Sequence, residues 1–232
     1  MAAYDGPMTL KRATLAEQAY EELRSRIVSG ALPAGQRLLA DNLAAELSIS
    51  PTPVKEALTL LERDGLVEGA SRRACVVRRF YGGDVRHIYA ARIMLELHAI
   101  RCGFEAGAIT TCFIAAIEDV FARQVAHAKR NRPVIFTEAA RLDREFHETL
   151  VHLANNPVVF DWHRGILSQT QTILALSIDT YDVKRAHSEH AAILEALRGA
   201  DLARMEASLL AHLNAARDEI IGRTPAFAEA AD

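Results

Sequence analysis

Two short helical segments, about Ala40–Leu47 and Ser50–Asp64, are separated by only Ser48-Ile49-Ser50. A connection that tight is the turn of a helix-turn-helix. Ser50 reads as the N-cap of the second helix and Pro51 as its first residue, where a missing N–H costs nothing. Gly65 reads as its stop. Upstream, Thr14 and Glu17 have capping-box spacing, and Leu15, Ala19, Leu23 and Ile27 recur as an apolar stripe, with Tyr20 beside it, until Gly30. Leu32-Pro33-Ala34-Gly35 is a turn signal, followed by a short extended piece at Gln36–Leu39. Leu66-Val67-Glu68 and Cys75-Val76-Val77 pair as a hairpin around a basic tip, Ser71-Arg72-Arg73. Helix, strand, helix, helix, hairpin is the order of a winged helix-turn-helix.

A linker at about Arg78–Asp84, containing Gly82-Gly83, separates this unit from a remainder that is helical throughout. The pattern predicts helices at about 84–107, 110–130, 134–154, 157–179, 182–198 and 201–222. Asn156-Pro157 opens one of them, and Gly199 and Gly222 act as stops. The expected fold is therefore mainly α. A winged helix-turn-helix occupies residues 1–80, an all-α helical bundle residues 84–222, and a loose tail residues 223–232. The apolar runs are short and interrupted by charge, so no membrane span is expected. Met1–Leu10 lacks the pattern of a secretory signal. Three scattered cysteines fit a reducing cytoplasm rather than a disulfide scaffold, so a cytoplasmic protein is expected.

Charge says little by itself. Residues 1–80 hold 11 Lys and Arg against 10 Asp and Glu, and the remainder holds 16 against 20. A nucleic-acid-binding surface must then be a local patch. The second helix supplies one: Ser50, Thr52 and Lys55 sit on or near its exposed first turn, while Val54, Leu58 and Leu61 face inward. Such a helix end can enter the major groove of double-stranded DNA, with Arg72 and Arg73 reaching the adjacent backbone or minor groove.

Four polar residues of the second half stand where apolar ones belong. Asp143 and His147 are four apart, beside Leu142, Phe146 and Leu150. His190 lies on the stripe Val183, Ala186, Ile193, Leu194, Leu197, and His212 on the stripe Leu202, Met205, Leu209, Ala216, Ile220. One histidine on an apolar face is usually a satisfied core residue. Three histidines and an aspartate on three inward faces are better explained by convergence on a shared partner. Three imidazole nitrogens with a carboxylate oxygen suit a divalent metal ion, Zn²⁺ or Ni²⁺ first, with Mn²⁺ or Fe²⁺ also compatible. The other six histidines, His163 among them, receive no role.

Gly30–Leu38, Leu43-Ala44-Ala45-Glu46-Leu47, Ser50–Leu58 and Leu61–Val67 together resemble the GntR family of regulators. That family usually has Arg where Pro51 and Lys55 stand and Gly where Ala74 stands. The resemblance thus implies DNA binding with an altered sequence preference or a modest affinity. Asp143–Leu150 followed by Asn155-Asn156-Pro157, then Ser188-Glu189-His190, then His212-Leu213, resemble the three metal motifs of the FCD sensor domain found in the FadR-like branch. This resemblance implies a metal held by Asp143, His147, His190 and His212, and a small carboxylate effector beside it. Arg92 stands where the family often carries an arginine for that effector; the competing reading is a plain Arg92–Glu96 salt bridge. It further implies a homodimer on a two-fold-related operator. Two other functions stay open at this point. One is a DNA-binding protein whose metal, or dry histidine-lined core, is purely structural; the other is a metal-dependent hydrolase or lyase.

Overall fold

The structure is a computed structural model that describes residues 13–69, 75–128, 136–176 and 182–223. Helix α1 (Leu15–Val28) opens with the capping box its sequence announces. Thr14 Oγ1 accepts from the Glu17 amide at 3.1 Å, and the Thr14 amide donates to Glu17 Oε2 at 2.7 Å. Its buried stripe is Ala16, Ala19, Leu23 and Ile27, whereas Leu15 is 53% exposed. A strict spacing of four advances the stripe by about 40° per step around the helix. Leu15 therefore rotates off the core and Ala16 takes its place.

Strand β1 (Arg37–Leu38), helix α2 (Ala40–Leu47) and helix α3 (Pro51–Arg63) follow. The turn after α2 closes through Ser48, in the left-handed region at φ 55°, and the Ile49 amide donates to Ala44 O at 3.0 Å. Ser50 occupies the N-cap position of α3, but its hydroxyl makes no capping hydrogen bond; Pro51 starts the helix without the N–H that would need one. Val54, Ala57, Leu58 and Leu61 pack against α1, and α3 ends before Gly65 at φ +71°. A Cβ at Gly65 would also stand 2.7 Å from Gln169 Nε2. Glycine serves there both for its dihedral and for the close approach.

Strands β2 (Val67–Glu68) and β3 (Cys75–Val77) are antiparallel, with Val67 opposite Val77, and β1 pairs on the other edge of β3. Cys75 and Val77 turn into the core and Val76 outward, which is the period-two alternation of a half-buried strand. The connecting tip, with Arg72, Arg73 and Ala74, lies outside the described residues.

Helix α4 (Gly82–Glu105) begins earlier than the glycines suggest. Gly82 and Gly83 form its first turn rather than a linker, with the Tyr81 amide donating to Asp84 Oδ2 at 2.9 Å. Arg78 joins the two halves, bonding Asp84 Oδ1 at 2.7 Å and lying 3.6 Å from Glu68 Oε1. The second half continues with α5 (Thr111–Ala128), α6 (Phe136–Val151), a 3-10 turn at His152–Ala154, α7 (Pro157–Leu176), α8 (Val183–Arg198) and α9 (Leu202–Arg223). Asn156 caps α7 through its side-chain oxygen, which accepts from Val158 N at 3.0 Å. Helix α9 runs on through Gly222 to Arg223. Glycine inside a helix costs only about 1 kcal/mol, less than the neighbouring Ile220 gains by burial.

Among the described residues the buried apolar side chains form one cluster in the head and two in the bundle. The head buries Leu23, Leu38, Leu61 and Leu66; the bundle buries Tyr89, Phe146, Leu150, Ile193 and Leu209. Helix α4 lies along α9, α7 and α6, so its inward face looks onto the middle of the bundle. Among the described residues, no helix is long and apolar enough to cross a membrane.

Candidate metal centre

The three histidines that stood on separate apolar stripes meet in the middle of the bundle. His147 comes from α6, His190 from α8 and His212 from α9, each buried. Their Nε2 atoms converge: His212 Nε2 lies 3.3 Å from both His147 Nε2 and His190 Nε2. Asp143, one turn before His147, points Oδ1 at the same place, 3.9 Å from His147 Nε2 and 3.7 Å from His190 Nε2. Phe146 stacks flat on His190, with ring centroids 4.1 Å apart and planes 10° from parallel, which fixes that ring's orientation.

The opposite nitrogen of each ring decides what the convergence means. His147 Nδ1 lies 2.8 Å from Glu96 Oε2, His212 Nδ1 lies 2.8 Å from Glu189 Oε2, and His190 Nδ1 lies 3.0 Å from Gln124 Oε1. Carboxylates only accept, so His147 and His212 donate from Nδ1. Gln124 is oriented by its own amide, whose Nε2 donates to Leu142 O at 3.1 Å. Its Oε1 must therefore accept from His190. With every Nδ1 carrying the proton, the three Nε2 atoms are bare lone pairs facing one another in a buried core. Lone pairs cannot hydrogen-bond to each other, and such an arrangement is costly unless a cation sits among them. Two nitrogens each about 2.0–2.1 Å from one ion lie roughly 2.8–3.0 Å apart as neighbours in an octahedron and roughly 3.3–3.4 Å apart in a tetrahedron. The 3.3 Å found here lies within that span.

Electrostatics agree. Burial pushes the His190 imidazole well below its usual range, and the neighbouring His212 and His147 push it further. Burial lowers His212 as well, against the pull of Glu189. Neutral imidazoles are the ligating form. Glu189 is itself held by Arg185 Nη1 at 2.5 Å. Burial alone would raise the Glu96 and Glu189 carboxyls, but His147 and Arg92 around the first, and His212 and Arg185 around the second, outweigh it and hold both below the usual range.

Arg92 makes the expected salt bridge with Glu96. Its Nε bonds Glu96 Oε1 at 2.7 Å, so the salt bridge exists, yet both side chains are buried rather than on the surface. Its Nη2 has no hydrogen-bond partner among the described residues. The same Glu96 Oε1 also faces His163 Nε2 at 3.1 Å. Glu96 thus receives three N–H groups, from Arg92, His147 and His163. Sequence reasoning missed Gln124, Glu189 and His163, and saw Glu96 only as a partner for Arg92. Gln124 carried the same signal as the histidines, a polar residue continuing the buried stripe of Ile117 and Val120.

In the head, Ser50, Thr52 and Lys55 are all exposed at the start of α3, and the first turn carries no acidic residue. That leaves the positive end of the helix dipole free for a phosphate. Arg72 and Arg73 lie outside the described residues.

Residues 15–77 match the family model described as bacterial regulatory proteins, gntR family, and residues 87–215 match the FCD domain. The HTH-type transcriptional regulator BphR of Paraburkholderia xenovorans is 27% identical over 86% of this chain and 82% of its own length. The Nta operon transcriptional regulator of Aminobacter aminovorans is 27% identical over 81% of this chain and 85% of its own. Among solved structures, E. coli McbR/YncC superposes with a TM-score of 0.75 at 22% identity, covering 91% of this chain and 99% of that one. A GntR regulator from Rhodococcus sp. RHA1 superposes with a TM-score of 0.71 at 22% identity, covering 89% and 97%. At those identities the structures speak for the fold.

Proposed function

Because the chain belongs to the GntR family of bacterial regulatory proteins and carries an FCD domain, it is a DNA-binding transcription regulator with an effector-binding half, and we propose that this half works through a divalent metal ion held by Asp143, His147, His190 and His212. The observation that carries the proposal is the set of three converging Nε2 lone pairs, that of His212 lying 3.3 Å from each of the other two, with every Nδ1 already committed to an acceptor. Imidazoles with one carboxylate favour Zn²⁺ or Ni²⁺, with Mn²⁺ or Fe²⁺ also accommodated. A dry structural core explains the burial but not three mutually facing acceptors.

When bound, the ion supplies a position to which an acid's oxygen can attach, and Arg92 Nη2 stands as the cation for the rest of the carboxylate. The effector class is then a small carboxylic acid. Glu96 sets the geometry by holding both groups: Oε2 fixes His147 and Oε1 fixes Arg92. Ser50, Thr52 and Lys55, with Arg72 and Arg73, make the operator contacts. Two copies of the chain place two such heads on a two-fold-related operator. Effector binding changes operator affinity only through a difference in affinity for two head poses.

The test is metal content. Full-length protein is loaded with Zn²⁺, dialysed and analysed, with competitive titration for affinity; about one ion per chain is expected. His147→Ala and His190→Ala should lose it while circular dichroism remains helical. Retention of zinc at wild-type affinity by both variants overturns the site.

A further inference from the structure

We propose that His163 reads a hydroxyl group on the effector, so that the acids this regulator senses are hydroxycarboxylic acids; the proposal rests on the carboxylate reading of Arg92 and the metal. His163 is fully buried on the inner face of α7, and its Nδ1 has no hydrogen-bond partner among the described residues. A buried unsatisfied ring nitrogen costs free energy, and a native core retains one only for a reason. The tautomer is fixed by what Nε2 does. It points at Glu96 Oε1, an oxygen that already accepts from Arg92 Nε, so Nε2 donates and Nδ1 is left as an acceptor. Burial keeps the ring uncharged, against the pull of Glu96.

Among the described residues, two buried side-chain atoms of this cluster are left without a partner: an N–H donor, Arg92 Nη2, and an acceptor, His163 Nδ1. Both belong to groups bonded to one carboxylate oxygen, and the fixed sizes of a guanidinium and an imidazole keep both within a small molecule's length of it. The other oxygen of that carboxylate holds the metal-binding His147. A ligand that satisfies both orphans presents an anionic oxygen to Arg92 and an O–H to His163. An ammonium group could also donate to Nδ1, but it would sit beside Arg92 and a divalent cation, whose charge disfavours it. A hydroxyl carries no such penalty.

The experiment is isothermal titration of the zinc-loaded full chain with matched acids: glycolate and acetate, lactate and propionate, malate and succinate, 2-hydroxyglutarate and glutarate, with alanine set against lactate. In at least one pair the hydroxy acid should bind about tenfold more tightly than its partner, and lactate should bind more tightly than alanine. His163→Phe, which keeps the ring volume without the acceptor, should reduce the hydroxy acid's advantage over its plain partner to less than about twofold. Should that variant fail to fold, the wild-type pairs decide alone. Equal affinity within every binding pair overturns the role of His163 and assigns Nδ1 to an enclosed water, with the carboxylate reading intact. Absence of binding by either member of every pair, unchanged in Arg92→Ala, overturns the carboxylate reading and this proposal with it.

Discussion

Arg24, on the first helix of the DNA-binding head, donates a hydrogen bond to Gln171 Oε1 on α7 of the sensor. The same oxygen accepts from Arg144 Nη1 at 3.2 Å, and Gln171 Nε2 donates to Ala140 O at 3.1 Å. Arg144 and Ala140 are both on α6, the helix of Asp143 and His147. One amide therefore ties the head directly to the helix that carries half of the candidate metal ligands. Burial and the neighbouring Arg144 lower the Arg24 guanidinium from its usual value, so the contact is held against an electrostatic cost.

That contact is expected to carry the signal. Allosteric coupling is typically 1–3 kcal/mol, or about 5- to 150-fold in affinity. Gln171→Ala should bind metal and effector within about twofold of wild type, yet show an effector-induced change in operator affinity of less than about twofold. Fluorescence anisotropy with labelled operator, with and without effector, measures it. A full response in Gln171→Ala places the coupling elsewhere, for instance in Arg78 and Asp84.

The carboxylates behind the histidines should matter nearly as much as the histidines. Glu96→Gln and Glu189→Gln keep the shape but allow the amide to turn its N–H₂ toward Nδ1, favouring the wrong tautomer. Loss of such a partner typically costs about 10- to 100-fold in metal affinity. Competition with a chromogenic chelator reads this directly, and unchanged affinity in both variants contradicts the assigned tautomers.

Acid should destabilise the metal-free protein. His163, His190 and His212 all have imidazoles depressed by burial. In the unfolded chain each takes up a proton near pH ~6.5, while the folded protein resists it. Stability is thus complete above that pH and is lost as pH falls below it toward the depressed folded values, by up to about 1.4 kcal/mol per pH unit for each resisting group. Urea unfolding in chelator at about pH 7.5 and about pH 5 checks the sign, and equal midpoints contradict it.

In the head, Lys55→Ala should weaken operator binding and flatten the plot of log affinity against log salt by about one, the signature of a lost phosphate contact. Thr52→Ala should instead change the preference among operator sequences, with the salt slope kept. A slope unchanged in Lys55→Ala removes that residue from the DNA backbone contacts.

The fold was legible where local chemistry decides it. Thr14 with Glu17, Pro51 behind Ser50, and Asn156 before Pro157 each mark a helix start that packing does not override. Gly82, Gly83 and Gly222 misled because glycine tolerates a helical dihedral at a cost of only about 1 kcal/mol, which packing outweighs in these helices. The three histidines were visible because polar residues on apolar stripes need a reason. Glu96, Gln124 and Glu189 lie on three further helix positions whose meeting depends on how α4, α5 and α8 pack. No spacing within one helix reports which nitrogen of a distant ring a side chain will face.

Asp143 differs from its three companions in one respect: its side chain is 19% exposed, while those of His147, His190 and His212 are nearly or fully sealed. The carboxylate is thus the solvent-facing edge of the candidate site. Replacing it is expected to alter how fast an ion enters and leaves more than how the bundle holds together.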